Sequence, residues 1–202
     1  MTHRKKETMN FVFNERRSTQ AAAFLVSRNG GTMNYMKLIK LLYLADRTAL
    51  LRWQQPITGD KYYSMPRGPV VSTILDIISN GPNPHENGYW SHAIKKSPDD
   101  GYAVTAVAPV EYDDLSAREK RLLTDIDEHF KAFDQWAMVD YCHKNLPEWN
   151  DPQGPSAQIT VEEIIRAGSP TATEEEIQES LELIAFKMFI DEKNIESLHE
   201  AG

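Results

Sequence analysis

Residues 33–52 constrain the fold most. Read as a helix, this span carries Met33, Met36, Leu38, Ile39, Leu41, Leu42, Tyr43, Leu44, Leu50 and Leu51 around nearly its whole circumference, with only Lys37, Lys40 and Arg47 gathered on one side at helical spacing. A helix apolar nearly all round belongs at the centre of a domain. The rest of the chain must therefore supply elements that cover it. Its narrow basic stripe must reach water, an acidic neighbour or a partner.

The flanking segments read as those covering elements. A helix is predicted over 15–29, with Ala21, Ala22, Leu25 and Val26 as its apolar patch and Gly30-Gly31 as its stop. Thr32 is the candidate N-cap of the central helix. Beyond Gln55-Pro56 a loop or short extended segment covers Ile57 to Pro66. Gly68-Pro69 then opens a helix over 69–79, with Val71, Ile74, Leu75 and Ile78 as its buried face. Tyr89–Ile94 and Tyr102–Val107 read as two short strands joined by the turn residues 97–101. Ser116 and Glu119 form a capping box for a helix over 117–133, and a further helix covers 135–145. The same box recurs at Thr160/Glu163, before a short helix ending at Gly168, and at Thr173/Glu176, before a last helix with Ile177, Leu181, Ile184 and Met188 facing inward.

The expected fold class is mainly α (α+β): a compact helical domain of six to seven helices with one small two-stranded β-hairpin. Residues 1–14 are expected to form a mobile N-terminal tail, and 15–202 a single domain.

Charge and cysteine content narrow the function classes. The 202 residues include 22 basic and 30 acidic side chains, a formal net charge of −8. Phosphate backbones repel such a surface, so nucleic acid is an unfavoured partner, whereas a basic protein surface is steered towards it. A single cysteine, Cys142, excludes a disulfide framework within the chain and fits a reducing cytoplasm. No stretch approaches the roughly 18 consecutive apolar residues of a membrane span, and no apolar run follows the basic start to make a secretory signal. A cytoplasmic protein without a membrane partner is expected.

The candidates for chemistry are sparse. His85, His92, His129, His143 and Cys142 fall into no paired metal-ligand spacing, and neither a metal nor a cofactor is expected. Cys142 and His143 are neighbours in sequence, so on a helix they diverge by about 100° and form no dyad. The glycines match no phosphate-binding loop. Asp125 and Asp127 read as solvated surface. What stands out is Gly59–Pro69, where Asp60, Lys61, Tyr62, Tyr63 and Arg67 crowd into the segment after the central helix. It is either a connector whose tyrosines plug the core or a binding loop.

Three motifs carry a resemblance. Residues 37–47, Lys37-Leu38-Ile39-Lys40-Leu41-Leu42-Tyr43-Leu44-Ala45-Asp46-Arg47, resemble the K-L-x-K-L-L-Y-x-A-x-R core of the Panacea domain, the family of SocA-like antitoxins and phage-associated GepA-like proteins. Residues 56–62 with Arg67-Gly68-Pro69-Val70-Val71 look like its glycine–aspartate–aromatic stretch leading to G-P-V, and His143 to Trp149 like its histidine before P-x-W. The motifs stand in the family's order over 37–149.

The resemblance implies a largely helical fold and a non-catalytic role, as the antitoxin of a toxin–antitoxin operon in a prophage or mobile-element setting. The partner it implies is a protein toxin encoded by an adjacent gene. Family members can also hand a toxin to a cytoplasmic protease, so an adaptor or phage accessory protein acting on a host complex is the alternative. A metal-dependent hydrolase around His92 and His143 is the weakest reading. Partner contact is expected at Lys37, Lys40, Arg47, Asp60, Tyr62, Tyr63 and Arg67. Leu38, Leu41, Leu42, Tyr43, Gly59, Gly68, Pro69, His143, Pro147 and Trp149 are expected to build the domain.

Overall fold

The computed structural model describes Met9 and residues 11–81, 88–107 and 109–200, with side chains as far as residue 190. Among these residues there are eight helices and two three-stranded antiparallel sheets, mainly α as expected. The helices are α1 (Glu15–Arg28), α2 (Tyr35–Trp53), α3 (Ser72–Asn80), α4 (Tyr89–Ala93), α5 (Ala117–His129), α6 (Gln135–Asn145), α7 (Val161–Gly168) and α8 (Glu174–Glu200). The strands are β1 (Thr32–Asn34), β2 (Tyr62–Met65), β3 (Gly68–Val71), β4 (Ile94–Lys96), β5 (Ala103–Ala106) and β6 (Ala157–Ile159).

Helix α2 is the hub. It contacts α1, α3, α5, α6, α7, β1 and β3, and Leu38, Leu41, Leu42, Tyr43 and Leu50 on it are wholly buried. Its N-cap is Asn34, not Thr32: the Asn34 side chain accepts from the backbone N–H of Met36 and of Lys37. Thr32 lies in β1, which pairs with β5 and draws the chain into extended backbone for three residues before the helix can start.

The β content exceeds the one hairpin expected. In the first sheet, of order β1-β5-β4, strands β4 and β5 flank the expected turn. The stretch Tyr89–Ala93, expected as strand, is helical. Gly88 enters it in the left-handed region, Trp90 and Ala93 are buried one turn apart, and the Glu15 carboxylate accepts the Trp90 N–H at 2.9 Å.

The second sheet, of order β3-β2-β6, replaces the expected loop-to-helix passage. Pro66-Arg67 is the turn between β2 and β3. Pro69 is tolerated because β3 is an edge strand and pairs on one side only. Helix α3 consequently starts at Ser72 rather than 69. Its first N–H groups go to Asp60, whose carboxylate accepts from Thr73 at 2.9 Å and Ile74 at 3.0 Å.

All three capping boxes form as read, at Ser116/Glu119, Thr160/Glu163 and Thr173/Glu176. Asp127 is a correction. It is buried, and it accepts from Arg28 at 2.9 Å and Asn29 at 2.7 Å, tying α5 to the end of α1. Most of the expected N-terminal tail lies outside the described residues; within them, Met9, Phe11 and Phe13 pack against the core. No helix among the described residues is long and apolar enough to cross a membrane.

Candidate functional site

Lys37, Lys40 and Arg47 of α2 each meet a partner inside the protein. Lys37 is 8% exposed, and its amine donates to the Lys131 carbonyl at 3.4 Å. Burial lowers its pKa, against the pull of Asp127 and Asp134. Lys40 is more extreme: it is 1% exposed, and its amine reaches only a long 3.5 Å contact with the Pro69 carbonyl. Burial brings its pKa down to about 8. Arg47 is bidentate on Glu148, at 2.6 and 3.3 Å, and the Tyr43 hydroxyl donates to the same carboxylate at 2.9 Å.

Asp46 lies on the same helix. Fully buried, it accepts the N–H of Ile57 at 2.8 Å and of Thr58 at 2.9 Å, and the hydroxyls of Thr58 and Tyr62. Burial raises its pKa to about 6 even though these donors favour the ionised form. Asp46 thus fixes residues 57–62, and Asp60 fixes α3.

Of the segment 59–69, Asp60 and Tyr62 are therefore interior, with Tyr62 edge-on to Tyr43 at 5.6 Å. Gly59 is pressed by the N-terminal segment: a side chain there would meet the Val12 carbonyl at 2.6 Å. Tyr63 is half-buried and Arg67 is exposed. Arg67 sits at the hairpin turn, with its guanidinium 5.4 Å from the centre of the Trp136 ring.

Trp136 is 53% exposed and Tyr102 65% exposed, the latter stacked on Tyr35 at 6.3 Å. Arg67, Trp136, Tyr102, Met36 and Asp100 line an open groove of about 380 Å³. The sequence reading missed Trp136 and Tyr102. A signal for Trp136 was present: Met138, Val139 and Cys142 mark the inner face of α6, and position 136 falls off it.

The third motif braces the hairpin. His143 stacks on Trp149 with ring centres 3.9 Å apart, and the Trp149 indole donates to the Met65 carbonyl at 3.0 Å. Pro147 follows the C-cap of α6 and ends it. Cys142 is buried beneath, its thiol pushed up to about 11 by burial. That keeps it in the unreactive thiol form. Gly68 and Pro69 pack directly over Lys40 and Cys142.

His92 is exposed on α4, and His85 lies outside the described residues. Among the described residues no three His, Cys, Asp or Glu side chains converge as metal ligands would.

No curated protein and no solved structure shows significant similarity to the chain. Residues 38–150, more than half of it, match the family described as antitoxin SocA-like, Panacea domain. This span holds all but the first three residues of α2, the β2–β3 hairpin, the Asp46 and Glu148 anchors and the Arg67–Trp136 pair, and the chain belongs to the SocA-like antitoxin family.

Proposed function

We propose that the protein is the antitoxin of a bacterial toxin–antitoxin pair and neutralises a protein toxin by direct contact. The toxin is encoded beside it and met in the cytoplasm. The observation that carries this is the exposed Arg67–Trp136–Tyr102 cluster, standing on a family domain whose motif residues Lys40, Asp46, Asp60, Tyr62 and Glu148 are buried. Trp, Tyr and Arg are the side chains that dominate binding energy at protein interfaces. Arg67 stands on the β2–β3 turn, Trp136 on α6 and Tyr102 beside β5, and their placement on packed elements lowers the ordering cost of association.

In this reading Tyr63 and Arg67 border the contact area. Lys37, Arg47, Asp60 and Tyr62 act from inside by holding α2, the hairpin and α3 in place, and Lys40 lies buried beneath the hairpin. No step of chemistry is assigned to the site.

The test is growth rescue. The chain is co-expressed with the product of the adjacent open reading frame, and growth and thermal melts are measured together. Rescue by the wild-type chain, lost in Arg67→Glu and Trp136→Ala at an unchanged melting temperature, is the expected result. Full rescue by both stable variants would move the contact elsewhere. No rescue by the wild type would sink the antitoxin reading.

A further inference from the structure

Helix α8 has two apolar faces. Ile177, Leu181, Ile184 and Met188 pack against the core, and Lys187 anchors the helix by donating to the Trp53 carbonyl at 2.5 Å. On the other side Leu183 is 42% exposed, Phe186 61% and Ile190 41%. Positions 183, 186 and 190 form a stripe at helical spacing, opposite the buried face. The same outward line begins with Glu175, Glu179 and Glu182, all exposed. The outer face therefore turns from acidic to apolar between Glu182 and Leu183, about a third of the way along. A helix apolar on opposite sides is suited to packing on both sides, and Leu183, Phe186 and Ile190 stay exposed on the outer one.

We infer that α8 is a second docking element for the toxin, laying its outer face into an apolar groove rimmed by basic residues. This rests on the antitoxin reading above. Charge selects the occupant. A row of three carboxylates on a chain of net charge −8 repels an anionic membrane surface. A second copy carries the same charge, and a parallel pairing would set the acidic rows against each other. A basic groove satisfies both halves of the face, with Leu183, Phe186 and Ile190 as anchors. Helix α8 also lies outside residues 38–150, the span matched to the family.

The test uses the full-length chain and the product of the adjacent open reading frame. The variants are Leu183→Gln/Phe186→Gln, and separately Glu175→Gln/Glu179→Gln/Glu182→Gln. The first pair should weaken toxin binding by about tenfold or more, as loss of interface anchors does. The charge variant, altered only on solvated positions, should slow association and lose most of the salt dependence of binding. Melting temperature and light-scattering mass are measured alongside. Unchanged affinity in both variants overturns the inference. So does a wild-type dimer that the first variant converts to monomer. If the wild-type chain binds no toxin, the antitoxin reading itself fails, a result distinct from wild-type binding that is indifferent to α8.

Discussion

The Tyr43 hydroxyl donates to Glu148 across 105 residues of chain, at 2.9 Å, and shares that carboxylate with Arg47. The Glu148 side chain is wholly buried, so this one acceptor fastens the central helix to the loop that ends α6. Tyr43 is held protonated by burial and by the negative charge beside it.

Breaking this junction should be costly. Glu148→Ala leaves Arg47, whose side chain is only 16% exposed, without its counter-charge and is expected to lose about 2–4 kcal/mol. Tyr43→Ala should lose a similar ~3–5 kcal/mol through the cavity it leaves, whereas Tyr43→Phe should lose only about 1–2 kcal/mol. Urea denaturation of the three variants checks the ranking. A Tyr43→Phe variant as unstable as Tyr43→Ala would contradict it.

Lys40→Met should stabilise the protein. The folded pKa of Lys40 is about 8 and the ordinary value is 10.5, so the folded state holds fewer protons than the unfolded chain between those values. Stability should therefore rise as pH climbs from about 8 to 10.5. At pH 7 the lysine is charged in both states and carries its full burial cost. Replacing it with methionine should add about 1–3 kcal/mol at pH 7 and remove the alkaline rise. Chemical denaturation at pH 7, 8.5 and 10 measures both effects.

Asp46 has the opposite slope. Its pKa is raised from 3.8 to about 6, so its contribution is fullest below about 4 and is lost as pH rises through 6. The loss amounts to about 3 kcal/mol. Asp46→Asn keeps an oxygen for the Ile57 and Thr58 N–H groups and places an amide against the hydroxyls of Thr58 and Tyr62. The difference in stability between wild type and Asp46→Asn should therefore shift in favour of the variant between pH 4 and pH 7. A constant difference over that range would refute the assignment.

Gly68→Ala should destabilise by about 1–3 kcal/mol. Gly68 has φ +99°, and an added Cβ would stand 2.9 Å from the Lys40 amine and 3.3 Å from the Cys142 Cβ. A melting temperature equal to wild type would show that the hairpin turn can shift to make room.

The sequence disclosed the centre of the fold better than its polar wiring. Leu38, Leu41 and Leu42 advertise burial by residue type alone, and the three capping boxes are local patterns that local reading can find. Lys40 looked like part of a surface stripe, because its burial depends on β3 and α6, which arrive from distant segments. Asp60 looked like a loop residue; it caps α3 from outside that helix, a role spacing cannot reveal. Asp46 and Glu148 stood inside recognised motifs and were given no role, although an acid amid an apolar helix asks for donors. The β2–β3 hairpin was hidden by Pro66 and Pro69, which read as loop unless the strand is known to be an edge.

Strand β6 lies beyond residue 150, where the family match ends, yet it pairs with β2 through Tyr62↔Ile159, Tyr63↔Gln158 and Ser64↔Ala157. A fragment trimmed to the matched boundary would keep β2 and lose that neighbour, baring a row of unpaired backbone groups beside two tyrosines. Bared strands recruit other chains and aggregate. The segment after residue 150 thus guards the solubility of the domain before it, and a fragment meant to stand alone should run at least to Gly168.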